Sequence, residues 1–178
     1  MVSRRVTPPF RLVPLEVGDA EALSAFELAG RDWFERQVPP RPPSHFEPDT
    51  LREILREMLE GPDADRARFF LVRAMDGTIM GRVNLTGIAD GPAGRMAEVG
   101  YRIGPAHAGR GLASAALGVA IHVAREIGLD RLMAKVPEGH VASIKVLKAN
   151  GFAPTGETPA QAELHGAPLT LVHYALDL

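Results

Sequence analysis

The residues best placed to do chemistry lie between Glu98 and Ser114, in the stretch EVGYRIGPAHAGRGLAS. An apolar segment leads into a glycine-rich loop, and an alanine-rich amphipathic segment follows. Gly109 and Gly111 permit positive φ and close backbone approach, while Arg110 adds positive charge. Loop N–H groups and the positive end of the following helix would face one point, so this order predicts an anion-binding loop. A glycine turn that merely precedes a core helix remains the alternative.

The spacing of these glycines excludes two common nucleotide-binding motifs. It matches neither GxxxxGK[ST] nor GxGxxG, and no acidic residue follows at the ribose-binding position. A second motif, EGHVASIKVLKANGF, occupies residues 138–152. The two motifs must therefore be interpreted together.

Together the two motifs resemble those of the GNAT superfamily of acyl-CoA-dependent N-acyltransferases, in its RimJ/RimL-like branch. The resemblance covers residues 96–157 closely and the preceding part only in outline. The matching positions are Gly100, Tyr101, Ile103, Gly109, Gly111, Ala113, Ser114 and Leu117, then Ser143, Val146, Leu147, Lys148, Gly151 and Phe152. Three positions depart from the family pattern: Ala108 replaces a polar loop residue, Ala115 a frequent glutamate, and His140 the usual asparagine.

The resemblance implies an α/β (α+β) GNAT fold and a co-substrate, acetyl-CoA. The fold would have a mixed, mostly antiparallel central sheet with flanking helices, and its fourth and fifth strands would run parallel and splay apart. Pantetheine would enter that gap, and pyrophosphate would bind the loop amides. The implied cofactor-binding residues are Tyr101, Arg102, Ile103, Ala108, Gly109, Arg110, Gly111, Leu112, Ala113, Ser114, His140, Ser143 and Lys148.

Acyl transfer to an amine requires removal of a proton, polarisation of the thioester carbonyl and a proton for the leaving thiolate. Glu98 is the first candidate for general base, with a solvent-facing or ion-paired carboxylate as the alternative. His140 is a second candidate, or else a cofactor contact or a loop residue. Ser143 matches a position that contacts the CoA sulfur in the related branch; alternatively it caps the following helix.

Alternating and helical apolar patterns predict the elements that position these residues. A helix after Asp19 would place Leu23, Phe26 and Gly30 on its apolar face and Glu27 outside it. A proline-rich loop at 38–48 would be a connector or a wall of the acceptor site. The remaining expected elements are strands 10–15, 69–75, 78–85, 96–103 and 131–136, helices 49–60, 112–127 and 141–148, a turn-rich connector at 87–95, and closing strands from 152 and over 169–178.

Composition narrows the class of protein. The chain has 178 residues, one domain (1–178) by its size, and a formal net charge of −2, which argues against nucleic acid or anionic membranes as partners. Without cysteine there is no disulfide, thiolate metal site or cysteine nucleophile, and the histidines show no metal-ligand spacing. The N-terminus lacks the apolar core of a signal peptide, and no segment is long enough to span a bilayer. A cytoplasmic protein without a metal is expected.

The function predicted from the sequence is transfer of an acetyl group from acetyl-CoA to a primary amine, preferably a protein or peptide N-terminus, without a covalent enzyme intermediate. Acetylation of a small-molecule amine is the rival within this class. A non-catalytic acyl-CoA-binding or sensing module is the rival from another class. The sequence permits a homodimer but does not require one.

Overall fold

The computed structural model describes residues 9–178, and residues 1–8, which include most of the segment considered for a signal peptide, lie outside this range. The strands are β1 (Phe10–Pro14), β2 (Arg68–Ala74), β3 (Ile79–Gly91), β4 (Gly94–Ile103), β5 (Arg131–Pro137), β6 (Ala153–Pro154), β7 (Ala160–Leu164) and β8 (Ala167–Asp177). The helices are α1 (Ala20–Ala29), α2 (Arg31–Phe34), α3 (Pro48–Glu60), α4 (Leu112–Glu126) and α5 (Val141–Ala149). Within residues 9–178, no helix combines the length and apolarity needed to cross a membrane.

A single mixed sheet organises these elements in the order β1-β2-β3-β4-β5-β8-β6, with β7 paired to β8. Strands β4 and β5 are parallel, and the other neighbouring strands are antiparallel. The parallel pairing joins only residues 96–98 to residues 131–133. Beyond Glu98 the two strands separate, so the edge of β4 from Val99 to Ile103 has no partner in β5. The predicted fold class and the splayed parallel pair are confirmed.

The two faces of the sheet carry different helices, because successive strand residues point to opposite sides. Helix α4 packs on one face through residues such as Leu117 and Ala120, against Val99 of β4. Helices α1 and α3 pack on the other face, where Leu23 and Leu55 are fully buried. The alternate residues of β4 (Glu98, Gly100 and Arg102) belong to this second face, which α1 and α3 cover only in part.

The predicted long first helix is wrong, because the chain breaks at Gly30 into α1 and α2. A Cβ at Gly30 would lie 2.4 Å from the ring of Phe34, so the ring folds back onto the glycine. Asp19 makes no side-chain cap to α1; its carboxylate instead accepts from the N–H of Glu16 and pairs with Arg73. The expected solvent position of Glu27 is also wrong, since this side chain is only 3% exposed.

The predicted connector at 87–95 is a β-hairpin, with β3 continuing to Gly91 and β4 beginning at Gly94. The pairing register shifts between Thr86 and Ala89, where Gly87 has φ +64°, so a bulge lets the strands continue past residues typical of turns. The antiparallel meander of β2, β3 and β4 is confirmed, and so is the hairpin turn at Asp76-Gly77.

Candidate active site

The first cavity has a volume of about 440 Å³ and lies between the free edge of β4, the start of α4 and the start of α5. Its walls include Tyr101, Gly111, Ser143 and the aromatic side chains of Trp33 and Phe34. None of its lining residues is Asp or Glu, whereas Arg102 and Lys145 contribute positive charge. The cavity is therefore suited to an elongated ligand that is partly apolar and carries negative charge.

The glycine-rich loop forms one end of this cavity. Gly109 has φ +71° and Gly111 has φ +80°, values that other residues adopt only at a cost. Gly111 is the N-cap of α4 and provides no side-chain cap, so the amides at the start of the helix have no side-chain acceptor there. Backbone N–H groups at a helix N-terminus are a common phosphate-binding arrangement. The geometry thus fits a pyrophosphate group, as the loop sequence predicts.

Asn150, at the end of α5, ties the two sequence motifs together. Its Nδ2 donates to Ser114 Oγ at 3.0 Å and to the carbonyl oxygen of Ser114 at 3.2 Å. The same amide donates to the carbonyl oxygen of Val146 at 2.9 Å. These bonds hold α5 against the first turn of α4, and so they fix the position of Ser143 relative to the loop.

Tyr101 and Ser143 meet at the inner end of the cavity, where their hydroxyl oxygens lie 2.9 Å apart. Burial raises the pKa of Tyr101, although the hydrogen bond to Ser143 opposes this, so the phenol stays protonated at neutral pH. Either hydroxyl can donate in this pair. The pair therefore presents an O–H group to any atom bound beside it.

His140 is the N-cap of α5, and its Nδ1 accepts from the backbone N–H of Ser143 at 3.1 Å. The alternative in which Ser143 caps the helix is wrong, because Ser143 provides the N–H in this bond. With Nδ1 used as acceptor, a neutral imidazole carries its proton on Nε2. In this arrangement His140 holds the backbone of Ser143 in place, and its role as a base stays a prediction.

The second cavity, of about 320 Å³, lies on the other side of the gap between β4 and β5. The residues shared by its lining and that of the first cavity are Gln37, Tyr101, His140 and Ser143. The proline-rich segment forms one wall through Val38 and Pro39, and the β7–β8 hairpin forms another. The tip of this hairpin reaches α2, where His165 Nε2 hydrogen-bonds to the carbonyl oxygen of Glu35. Two ligands bound in the two cavities would meet at Tyr101 and Ser143.

Glu98 lies apart from Ser143, on the open sheet face beside the point where β4 and β5 separate. Its Oε2 is 2.7 Å from Lys135 Nζ, and both side chains are 43% exposed. Glu98 lines neither cavity but belongs to an adjoining hollow of about 280 Å³ that also includes Lys135 and His173. The structure thus brings together two of the three catalytic candidates. Glu98 remains a predicted base, and its ion-pair partner Lys135 lines both this hollow and the second cavity.

Most of the predicted cofactor-binding residues line the first cavity. They are Tyr101, Arg102, Ile103, Ala108, Gly109, Gly111, Leu112, Ala113, Ser114, His140 and Ser143. Arg110 and Lys148 are not among its lining residues, and Lys145 occupies the lysine position in the wall instead. Gln37, a shared lining residue, and Asn150 were not predicted as site residues, because one lies far from both motifs and the other resembles an ordinary helix terminus.

Comparison with known proteins gives a consistent result. The chain matches the acetyltransferase (GNAT) domain family over residues 10–153. It is 30% identical over 155 residues to the Bacillus subtilis (strain 168) protein "Probable N-acetyltransferase YjcK", and the match covers 86% of this chain and 85% of that protein.

Two solved structures share the fold. Mycobacterium smegmatis RimJ in complex with CoA-disulfide has a TM-score of 0.84 at 23% identity, with 96% of this chain and 83% of that chain covered. Spermidine N-acetyltransferase from Vibrio cholerae, in complex with CoA and spermine, has a TM-score of 0.78 at 19% identity, with 94% and 95% covered.

Proposed function

Since this chain belongs to the acetyltransferase (GNAT) domain family, we propose that its acceptor is the N-terminal amine of a peptide or protein. The resemblance found in the sequence is confirmed, and the protein is an acyl-CoA-dependent N-acetyltransferase. The observation that carries the proposal is the meeting of two cavities at Tyr101 and Ser143, the first without Asp or Glu among the described residues that line it and the second with mostly apolar walls.

Acetyl-CoA fits the first cavity in both charge and shape. The amides at Gly111, Ala113 and Ser114 would hold the pyrophosphate, while the unpaired edge of β4 would accept the pantetheine arm. Lys145 in the cavity wall would contribute positive charge to the phosphates. This placement brings the thioester towards Tyr101 and Ser143.

The second cavity would hold the acceptor amine. Among its lining residues Glu163 is the single carboxylate, and Lys135 lies in the same lining. A polyamine carries several positive charges and would require more carboxylates than this. Apolar side chains such as Leu164 and Leu171 instead suit an extended peptide, which presents one ammonium group and otherwise uncharged backbone.

In the proposed reaction the amine attacks the thioester carbonyl directly. Glu98, itself or through a water, accepts the proton that the amine loses. A new C–N bond forms, the C–S bond breaks, and the Tyr101–Ser143 pair supplies a hydrogen bond or proton to the departing sulfur. Since a thioester is already activated, positioning of the two substrates supplies much of the rate. The cytoplasmic location and the homodimer predicted from the sequence belong to this proposal as predictions.

A thiol-release assay with matched acceptors tests the proposal. Short peptides with free N-termini should release CoA faster than the same peptides with blocked N-termini, and mass spectrometry should locate the acetyl group on the α-amine. Acetylation of spermidine or other small amines in preference to every peptide would overturn the peptide acceptor. Binding of acetyl-CoA without turnover of any amine would favour a sensing module.

A further inference from the structure

A buried ion cluster lies beside the two cavities. Glu27 of α1 accepts from Arg82 Nη1 at 2.9 Å through Oε1 and from Arg102 Nη1 at 2.8 Å through Oε2. Burial raises the pKa of Glu27, but the charges of Arg102 and Arg82 outweigh this, so its pKa is lowered. One carboxylate is thus shared between two guanidinium groups, and it is ionised.

Positive charge exceeds negative charge around this site. Within residues 9–178, four arginines (Arg31, Arg41, Arg82 and Arg102, here called the arginine cluster) surround two carboxylates, Glu27 and Glu35, which leaves an excess of two positive charges (4 − 2). Arg31 pairs with Glu35 at 2.7 Å, whereas Arg41 forms no ion pair with any of residues 9–178.

The neighbouring histidine does not add to this charge. Burial, followed by the charge of Arg41, lowers the pKa of His45 below its ordinary value. His45 is therefore neutral at pH 7 and leaves the excess at two. The Arg41 charge thus lies close enough to His45 to lower its pKa.

The cluster retains unused hydrogen-bond donors. The Arg102 side chain makes one hydrogen bond within residues 9–178, through Nη1, so its Nε and Nη2 groups have no partner there. The Arg102 guanidinium lies over the ring of Phe34 at 4.9 Å, which fixes its plane and leaves its edge available. The Nε of Arg82 is buried without a hydrogen-bond partner among the described residues. Of these donors Arg82 Nε is the buried one, and a buried donor without a partner favours a bound acceptor group.

A small opening adjoins Arg102. It is lined by Arg31, Arg41 and Arg102 together with Glu27 and Glu35, and its free volume is about 10 Å³, room for one oxygen atom of a ligand whose other atoms lie in an adjoining cavity. It also shares Phe34 and Arg102 with the first cavity. Val38 and Pro39 line both this opening and the second cavity. The opening therefore adjoins both cavities.

We propose that this opening is a carboxylate subsite, and that the acceptor is a peptide with an acidic side chain close to its N-terminus. The inference rests on the proposed peptide acceptor. Planar guanidinium groups bind carboxylates with charge-assisted hydrogen bonds, and the two surplus charges of the cluster would be reduced to one. The same surplus opposes a polycationic acceptor. Arg102 also lines the first cavity, but Arg41 does not, and the CoA phosphates have the glycine-rich loop as their own site, so the charge of Arg41 serves the other substrate.

Kinetics with paired peptides test the subsite. Peptides that differ only by Asp or Asn at the second position, and a second pair at the third position, are compared at saturating acetyl-CoA. We expect the better acidic peptide to have a kcat/KM about tenfold higher than its amide partner, mainly through KM. Arg41→Gln should abolish this preference. Arg56→Gln, which removes an exposed arginine of α3, should retain it.

Kinetics of the Arg41 variants distinguish a carboxylate subsite from a contact to the cofactor. Arg41→Gln should leave the KM for acetyl-CoA unchanged, and a large rise in that KM would assign Arg41 to the cofactor instead. Arg41→Glu should reverse the preference towards a peptide with Lys at the same position, and this reversal would also show that the variant is folded. Equal kcat/KM for all peptides would overturn the carboxylate subsite but leave peptide acetylation standing.

Small-molecule acceptors test the carboxylate subsite separately from the proposed peptide acceptor. Aspartate and asparagine are offered as acceptors beside the peptides. If no peptide is acetylated but aspartate is preferred over asparagine in an Arg41-dependent manner, the subsite stands and the peptide acceptor falls. If the acidic and amide peptides have equal kcat/KM, and aspartate and asparagine do as well, the carboxylate subsite is wrong.

Discussion

The hydroxyl groups of Tyr101 and Ser143 lie 2.9 Å apart although 42 residues separate them in the chain. One is supplied by the strand before the glycine-rich loop and the other by the helix of the second motif. Their contact lies where the two cavities meet, and it depends on the hydrogen bonds that Asn150 makes to Ser114. The two motifs thus act as one site at the position where the thioester sulfur is expected.

Removing either hydroxyl should slow the chemical step. We expect Ser143→Ala and Tyr101→Phe each to lower kcat by about 100-fold, with a smaller effect on the Kd of acetyl-CoA, because the hydroxyls serve the departing sulfur. Since they share a hydrogen bond, the double variant should be little worse than the slower single variant. Because burial raises the pKa of Tyr101 above its ordinary value of 10.0, its deprotonation should not limit activity below that pH.

The positive φ of Gly111 predicts a defect in cofactor binding. Gly111→Ala forces a side chain into the left-handed region at a cost of about 1–3 kcal/mol and displaces the amides at the start of α4. The Kd of acetyl-CoA, measured by calorimetry, should rise about tenfold or more. Gly77→Ala is the matched control, because Gly77 also has positive φ but lies in the β2–β3 turn. It should lower stability by a similar amount without weakening acetyl-CoA binding, and equal Kd values in the two variants would refute the role of the loop.

Substitution of Glu98 should lower kcat and leave the KM for acetyl-CoA unchanged. Glu98→Gln keeps the shape of the side chain but cannot accept a proton, so kcat should fall about 100-fold while the KM for acetyl-CoA stays constant. Glu163→Gln is the comparison, since Glu163 lines the second cavity and should change the KM for the acceptor. Full kcat in Glu98→Gln would remove it as the base and leave its ion pair with Lys135 as its role.

Variants of His140 distinguish its role as the cap of α5 from a role as the general base. In the structure its Nδ1 accepts from the N–H of Ser143, and an asparagine side chain can replace that acceptor. We expect His140→Asn to retain stability and most of kcat, whereas His140→Ala should lose about 1 kcal/mol of stability and misplace Ser143. Thermal unfolding and steady-state kinetics of the two variants provide the comparison. A large loss of kcat in His140→Asn with unchanged stability would instead support His140 as the base.

The sequence predicted the glycine-rich loop and the helix after it well, because local patterns specify them. The glycine-rich loop requires particular residues at Gly109 and Gly111 regardless of the rest of the chain, and the helix after it has clear apolar periodicity. The parallel crossover from β4 to β5 follows from the strand, helix and strand order. These features can be derived from neighbouring residues alone.

The second cavity and the arginine cluster could not be predicted in the same way, since they depend on contacts between distant segments. Glu27 looks like a solvent residue in its own helix, and its burial follows only from Arg82 and Arg102, which are 55 and 75 residues away. The break at Gly30 likewise depends on the ring of Phe34. His165 in the β7–β8 hairpin contacts Glu35 after α2. No pattern in either segment of the sequence indicates this contact.

The buried carboxylate of Glu27 predicts how stability changes with pH. Its folded pKa is lowered below the ordinary value of 4.5, so its contribution is complete above that value and is lost as the pH falls through 4.5 towards the folded pKa. At pH 7, Glu27→Gln should reduce the free energy of unfolding by about 3 kcal/mol, because two buried guanidinium groups lose their partner. Below pH 4.5 the difference between the variant and the wild type should shrink.

Urea unfolding at pH 7 and pH 4 measures both effects. Glu53→Gln, which alters an exposed glutamate of α3, is the control and should change stability little. A constant difference at the two pH values would mean that Glu27 keeps its ordinary pKa in the folded protein, and that its pairing with Arg102 and Arg82 does not favour its ionised form.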